Sequence, residues 1–185
     1  MAEAARCWVD AGGFLPPTIA RVVGSNELIA AHFEYPTGVW GGGIAMTDIM
    51  AFIPDGVIAI EAKVNELFDD LVAIWISRNE KKNLASPPRR TKVVERYAEA
   101  FGVKSEQLLN IRYQLLQRTL AAALTARTKG ASNAWMIVQA FPPGAGDGHR
   151  INRSDFDRYL DLVGACPEIE GVRVQLAWVS EPLRS

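Results

Sequence analysis

Three polar side chains interrupt an otherwise apolar stretch between Ile44 and Lys63. Asp48 precedes a Pro54-Asp55-Gly56 turn, and Glu61 and Lys63 follow it. Each residue of that tripeptide favours chain reversal, so the flanking runs read as the strands of a hairpin. Pairing residues equidistant from the turn sets Asp48 opposite Glu61 to Lys63, and strand alternation sends Glu61 and Lys63 to one face. A slip of one residue would send Asp48 to the other face. A carboxylate inside an apolar strand costs several kcal/mol unless it is paired or metal-bound. The set is therefore either a structural ion pair of Lys63 with Asp48 or Glu61, or a functional site. Two carboxylates a few ångströms apart suit a hard cation, Mg²⁺ or Mn²⁺. With such a cation to activate water and a lysine beside it to hold the nucleophile or developing charge, the chemistry that fits is phosphodiester hydrolysis.

Asp48, then a hairpin, then Glu61-Ala62-Lys63 resembles the PD-(D/E)xK nuclease superfamily, most closely its bacterial members. Thr47 stands where the proline of the family's name would be. The resemblance implies Asp48 and Glu61 as ligands of Mg²⁺ (or Mn²⁺) and Lys63 as the catalytic ammonium. In several branches a helix after Glu-x-Lys carries a glutamine near the metal-bound water or the substrate. The string Arg112 to Thr119 resembles that helix and makes Gln114 a further catalytic candidate, with a plain surface glutamine as the alternative. Exonuclease-like branches have a tyrosine four residues on, where this chain has Arg118. The superfamily also often places a glutamate from its first helix near the metal, a role open to Glu27 or Glu34, with a plain exposed helical glutamate as the favoured alternative. The implied fold is α/β, a restriction-endonuclease-like mixed central sheet flanked by helices, with the resemblance spanning about Asn26 to Phe141.

These residues need a scaffold, and the rest of the chain offers one. Its 185 residues suffice for a single domain, 1–185, and half of them are apolar. The net charge of −1 gives no global field for nucleic acid, so binding of DNA, the expected partner, would use a local patch. The basic stretch is Arg78 to Arg96. Its Arg89, Arg90 and Lys92, beside a Ser86-Pro87-Pro88 loop, are candidates for phosphate contacts, or else part of a solvated linker. Cys7 and Cys166 lack ligand-spaced neighbours and read as reduced thiols of a cytoplasmic protein. Two histidines exclude His-rich zinc sites, and no run reaches membrane-spanning length. A homodimer is a further expectation for a near-neutral, Trp-rich domain of this size.

In order, the pattern predicts no clear element before Gly24, although Ile19 to Val23 suits a short strand or helix. A helix follows over Glu27 to Phe33, then the hairpin, then a helix over Asn65 to Ile76 opened by Glu66. Another helix runs from Thr91 to Gly102 and a long one from Ser105 towards Lys129-Gly130. A buried strand spans Ala134 to Phe141, and Pro142 to Gly148 reads as a loop. Ser154 caps a helix over Asp155 to Val163, and Val172 to Val179 is the last strand. Besides the nuclease reading, a non-catalytic nuclease-like fold serving as a binding or oligomeric assembly module fits the same pattern.

Overall fold

The computed structural model describes residues 2–40, 43–80, 89–142 and 147–181. The hairpin forms as its turn predicts. Strand β2 (Gly43–Ile53) pairs antiparallel with β3 (Gly56–Lys63), with Ile53 opposite Gly56 and Ile49 opposite Ile60. Before them, β1 (Ala30–Val39) pairs antiparallel with β2. After them, β4 (Asn133–Ala140) lies parallel to β3, and β6 (Val172–Ser180) parallel to β4, with short β5 (Glu168–Ile169) at the edge. The result is a six-stranded mixed sheet in the order β1-β2-β3-β4-β6-β5. Every residue of β3 is buried, and β4 is mostly so. A strand covered on both faces has no solvent side to favour polar alternation, which is why these runs are nearly continuous in Ala, Val and Ile.

Helices cover both faces. The helix α6 (Tyr113–Thr128) packs across the sheet, joined on that side by α4 (Arg89–Phe101) through Val93, Val94, Tyr97 and Phe101. Against the opposite face, α1 (Ala2–Asp10), α2 (Pro17–Val23) and the connection between them place Trp8, Ile19 and Leu15 over Ile49, Ile58, Ile60 and Ile137. Pro17 opens α2 at a position where its missing N–H costs nothing, and Gly24 ends it at φ 82.

Several boundaries differ from the pattern. The segment expected as a helix over Glu27 to Phe33 is irregular as far as Ile29 and strand from Ala30, the start of β1, with Ala30 opposite Phe52 and Phe33 opposite Ile49. A seven-residue helix is marginal by itself, and pairing with β2 satisfies this backbone instead. The helix expected from Asn65 starts only at Val72, as α3 (Val72–Glu80). The preceding residues are held irregular: Leu71 bridges to Arg112, and the buried Asn152 binds the Phe68 N–H (3.0 Å) and Glu66 carbonyl (2.8 Å). The same bridge splits the long helix into α5 (Ser105–Leu108) and α6, because the Ile111 and Leu109 carbonyls accept from Val72 and Ala73. The helix α7 (Asp147–Val163) begins well before Ser154. The Ser86-Pro87-Pro88 loop and residues 143–146 of the loop expected over Pro142 to Gly148 lie outside the described residues, and Asp147 and Gly148 belong to α7.

Candidate active site

Strands β2 and β3 part at Asp48. Their ladder ends at Ile49 opposite Ile60, while β3 stays paired with β4 as far as Lys63 opposite Ala140, and β2 stays with β1 out to Val39 opposite Gly43. The β1–β2 register also skips one position, Glu34 opposite Asp48, where Glu34 takes a φ of 50. Ala45 and Met50 both pack on the α6 side, although an odd separation should send them to opposite faces. The strand thus reverses its alternation at Asp48, as at a β-bulge, a device that re-aims a side chain and ends pairing. The Asp48 carboxylate turns towards β3 and accepts the Ala62 N–H at 2.8 Å, where a β2 carbonyl would otherwise be.

Glu61 and Lys63 share one face, as alternation predicts, and the Lys63 Nζ lies 2.7 Å from Glu61 Oε1. The second Glu61 oxygen is held by Arg118, whose Nε donates to Oε2 at 2.6 Å. Glu61 is 1% exposed, Lys63 6% and Arg118 7%, so this is a desolvated three-ion cluster. The Lys63 Nζ also lies 5.3 Å from the Phe68 ring centroid. Burial, and then the negative charge of Glu61, push the Asp48 carboxyl up to about 6, against the downward pull of the Ala62 N–H, Arg118 and Lys63. Asp48, Glu61 and Lys63 are therefore brought together, in the register that the turn implied.

Arg118 was absent from the sequence-derived set. Its helix face, shared with Gln114 and Ala121, reads as the polar, outward side of α6, yet Arg118 and Ala121 are both buried. A guanidinium amid Leu115, Leu116, Thr119 and Leu120 was the available signal, since a buried arginine needs an anion. Tyr97 of α4 lies close enough to feel its charge. Burial and then neighbouring Tyr113 hold the Tyr97 hydroxyl well above the usual phenol range, with Arg118 pulling it down.

The remaining candidates separate. Gln114, one turn before Arg118, accepts the Asp69 N–H through Oε1 (3.2 Å), so it anchors the segment after Lys63. Glu66 does similar work, accepting from Val64 (3.2 Å) and Asn65 (3.0 Å). Burial raises its carboxyl, but those N–H donors and Lys63 outweigh burial and leave it below the usual range. Arg90 is committed to Trp75, donating to its carbonyl and lying 4.4 Å from its ring centroid, with that ring stacked on Tyr113 at 3.9 Å. Arg89 and Lys92 are exposed at the start of α4. Glu27 and Glu34 are exposed and on no helix.

The site's fit to a divalent cation rests on its carboxylate pair. The raised Asp48 carboxyl reflects in part the repulsion from Glu61 that a cation between them would relieve. Asp48 and Glu61 are the two carboxylates at this place, and the described residues contain no group of three or more His, Cys, Asp and Glu that could hold a metal. Carboxylate oxygens are the donors that Mg²⁺ or Mn²⁺ takes, and both Glu61 oxygens are engaged by Lys63 and Arg118, so a cation would have to displace one of them.

Fold and site together define a mixed α/β protein with a buried cluster of one carboxylate and two cations, and the half-buried Asp48 beside it, where its sheet forks. The chain belongs to the family described as domain of unknown function DUF6946, whose model matches residues 1–183. No curated protein and no solved structure is significantly similar to it. Cys7 is buried and Cys166 exposed, with no disulfide between them, and no helix among the described residues is long and apolar enough to cross a membrane.

Proposed function

We propose that this protein is a metal-dependent nuclease of the PD-(D/E)xK type that hydrolyses phosphodiester bonds, with DNA as the expected substrate. One observation carries the reading: Asp48, Glu61 and Lys63 meet at the fork of the sheet, with Asp48 re-aimed there by a break in β2. The helix-then-strand order after Lys63, α6 and β4, supports the restriction-endonuclease-like arrangement that the resemblance implies.

Asp48 and Glu61 would hold Mg²⁺ or Mn²⁺, which when bound supplies an activated water and charge stabilisation at the phosphoryl group. Lys63 keeps its ammonium beside Glu61, placed to steady the attacking oxygen or the charge developing in the transition state. Gln114 fixes the backbone at Asp69 and thereby the loop leaving the site. Exposed Arg89 and Lys92 would take phosphates away from the scissile bond.

The test couples metal binding to cleavage. Mn²⁺ or Mg²⁺ should raise the melting temperature of the wild type and support cleavage of linear or circular DNA, and Asp48→Asn should remove both effects. Asp48→Asn is the informative variant. Glu61→Gln would strand two buried cations and lose activity through misfolding alone. Absence of any metal-induced stabilisation at millimolar concentrations, with no cleavage of DNA or RNA, would eliminate the nuclease.

A second reading, a non-catalytic nuclease-like module for binding or assembly, is favoured by two features. Both Glu61 oxygens are already ion-paired, and Ile29, Phe33, Ile44 and Met46 are exposed on β1, β2 and the approach to them. It predicts a self-associated protein in sedimentation experiments, indifferent to metal.

A further inference from the structure

On the nuclease reading, we infer that Arg118 is a positioning residue that keeps Glu61 neutralised in the resting protein and moves to a substrate phosphate when the metal arrives, so that metal and nucleic acid bind cooperatively. The two carboxylates and two cations of the cluster cancel in formal charge, and Glu61, Lys63 and Arg118 are nearly excluded from water. A divalent cation added alone would leave an uncompensated double positive charge in that desolvated place, which is costly. A phosphodiester beside it restores the balance.

Arg118 is the cation suited to move. Lys63 sits on the same strand face as Glu61, two residues away, and its carbonyl accepts the Phe141 N–H at 2.7 Å. Arg118 reaches Glu61 from a different element, α6, by its Nε at 2.6 Å. Its planar fork of donors matches a phosphate as well as a carboxylate, so it exchanges one anion for another with little loss.

The test follows the melting temperature of the full, metal-stripped chain near pH 8 through a Mn²⁺ titration. The titration is run alone, with a DNA oligonucleotide, and with the uncharged methylphosphonate analogue of that strand. The anionic strand should tighten Mn²⁺ binding to the wild type by about tenfold or more, within the usual range of coupling between sites. The neutral analogue should not. Arg118→Gln should bind Mn²⁺ without DNA about as tightly as the wild type does with it, and Arg118→Lys, which keeps the charge but lacks the planar fork, should couple more weakly than the wild type. Equal Mn²⁺ affinity of the wild type with and without the anionic strand overturns the inference, as does an Arg118→Gln protein with no gain in DNA-free affinity. In both cases the nuclease reading survives. If Mn²⁺ stabilises the wild type under none of these conditions, the nuclease reading falls and takes the inference with it. Should Arg118→Gln fail to fold, Arg118→Met replaces it, and the wild-type contrast between charged and neutral strands decides by itself.

Discussion

Asp48 is held where its negative charge costs stability. Its carboxyl is raised from 3.8 to about 6, by burial and then by Glu61. The native state therefore holds a proton that the unfolded chain has released, and between those values stability falls as pH rises. Asp48's contribution is fully present below about pH 4 and lost as pH passes through 6. Asp48→Asn imitates the protonated form and keeps an oxygen for the Ala62 N–H. In metal-free buffer near pH 8 it should be more stable than the wild type by about 3 kcal/mol, since the shift is about two units and each unit corresponds to about 1.4 kcal/mol. The difference should vanish near pH 4. Urea unfolding of both proteins at the two pH values measures it, and an Asp48→Asn protein less stable at pH 8 would show that the aspartate is structural.

At the scale of elements, the site depends on α7 although none of its ion pairs comes from there. Gly148 packs so closely that a Cβ would lie 2.0 Å from the Asn65 carbonyl oxygen, and Asn152 binds backbone groups of Glu66 and Phe68. Both clamp the segment leaving Lys63, whose ammonium lies near the Phe68 ring. Asn152→Ala would leave a buried N–H without its partner, a loss of about 1–3 kcal/mol. The melting temperature should drop by about 2–4 °C for each kcal/mol in a protein of this size. On the nuclease reading, kcat should fall further than the change in folded fraction explains, because the Phe68 side of Lys63 loosens. A loss of activity that tracks the folded fraction alone would confine α7 to a structural role.

For the whole molecule, the near-zero net charge requires any nucleic-acid affinity to come from a local surface. Arg89 and Lys92 are exposed at the start of α4, whereas Arg90 is bound to Trp75 and Arg96 lies 4.2 Å from the Trp40 ring centroid. The usable charge is thus smaller than the basic stretch suggests. Replacing Arg89 and Lys92 together with Ala should weaken DNA binding similarly for all sequences. It should also flatten the slope of log affinity against log salt by about one per phosphate contact removed. Fluorescence anisotropy across a salt series reports this, and an unchanged slope would move the binding face elsewhere. Melting temperature should barely change, since both side chains are exposed.

The sequence by itself determined the hairpin and the trio Asp48, Glu61 and Lys63, while the register was left open to a one-residue slip until the β2–β3 ladder set it. Hairpin and trio follow from the local rules that Pro-Asp-Gly reverses a chain and that side chains alternate along a strand. It also determined the buried strand read over Ala134 to Phe141, a short apolar run, and the C-terminal strand, where Val172, Val174 and Leu176 alternate with exposed Arg173 and Gln175. Tertiary structure decided the rest. Whether Ala30 to Phe33 becomes helix or strand depends on finding β2 beside it, and the start of α3 depends on Asn152 and on the Leu71–Arg112 bridge. These partners lie far away in the sequence, and no local propensity encodes them. Arg118 is the sharpest case. Helical spacing put it on a polar face, and only the packing of α6 across the sheet turned that face inward onto Glu61. A side chain's periodicity says which neighbours it shares a face with. What that face meets is decided by the fold, because burial is a property of the assembled core.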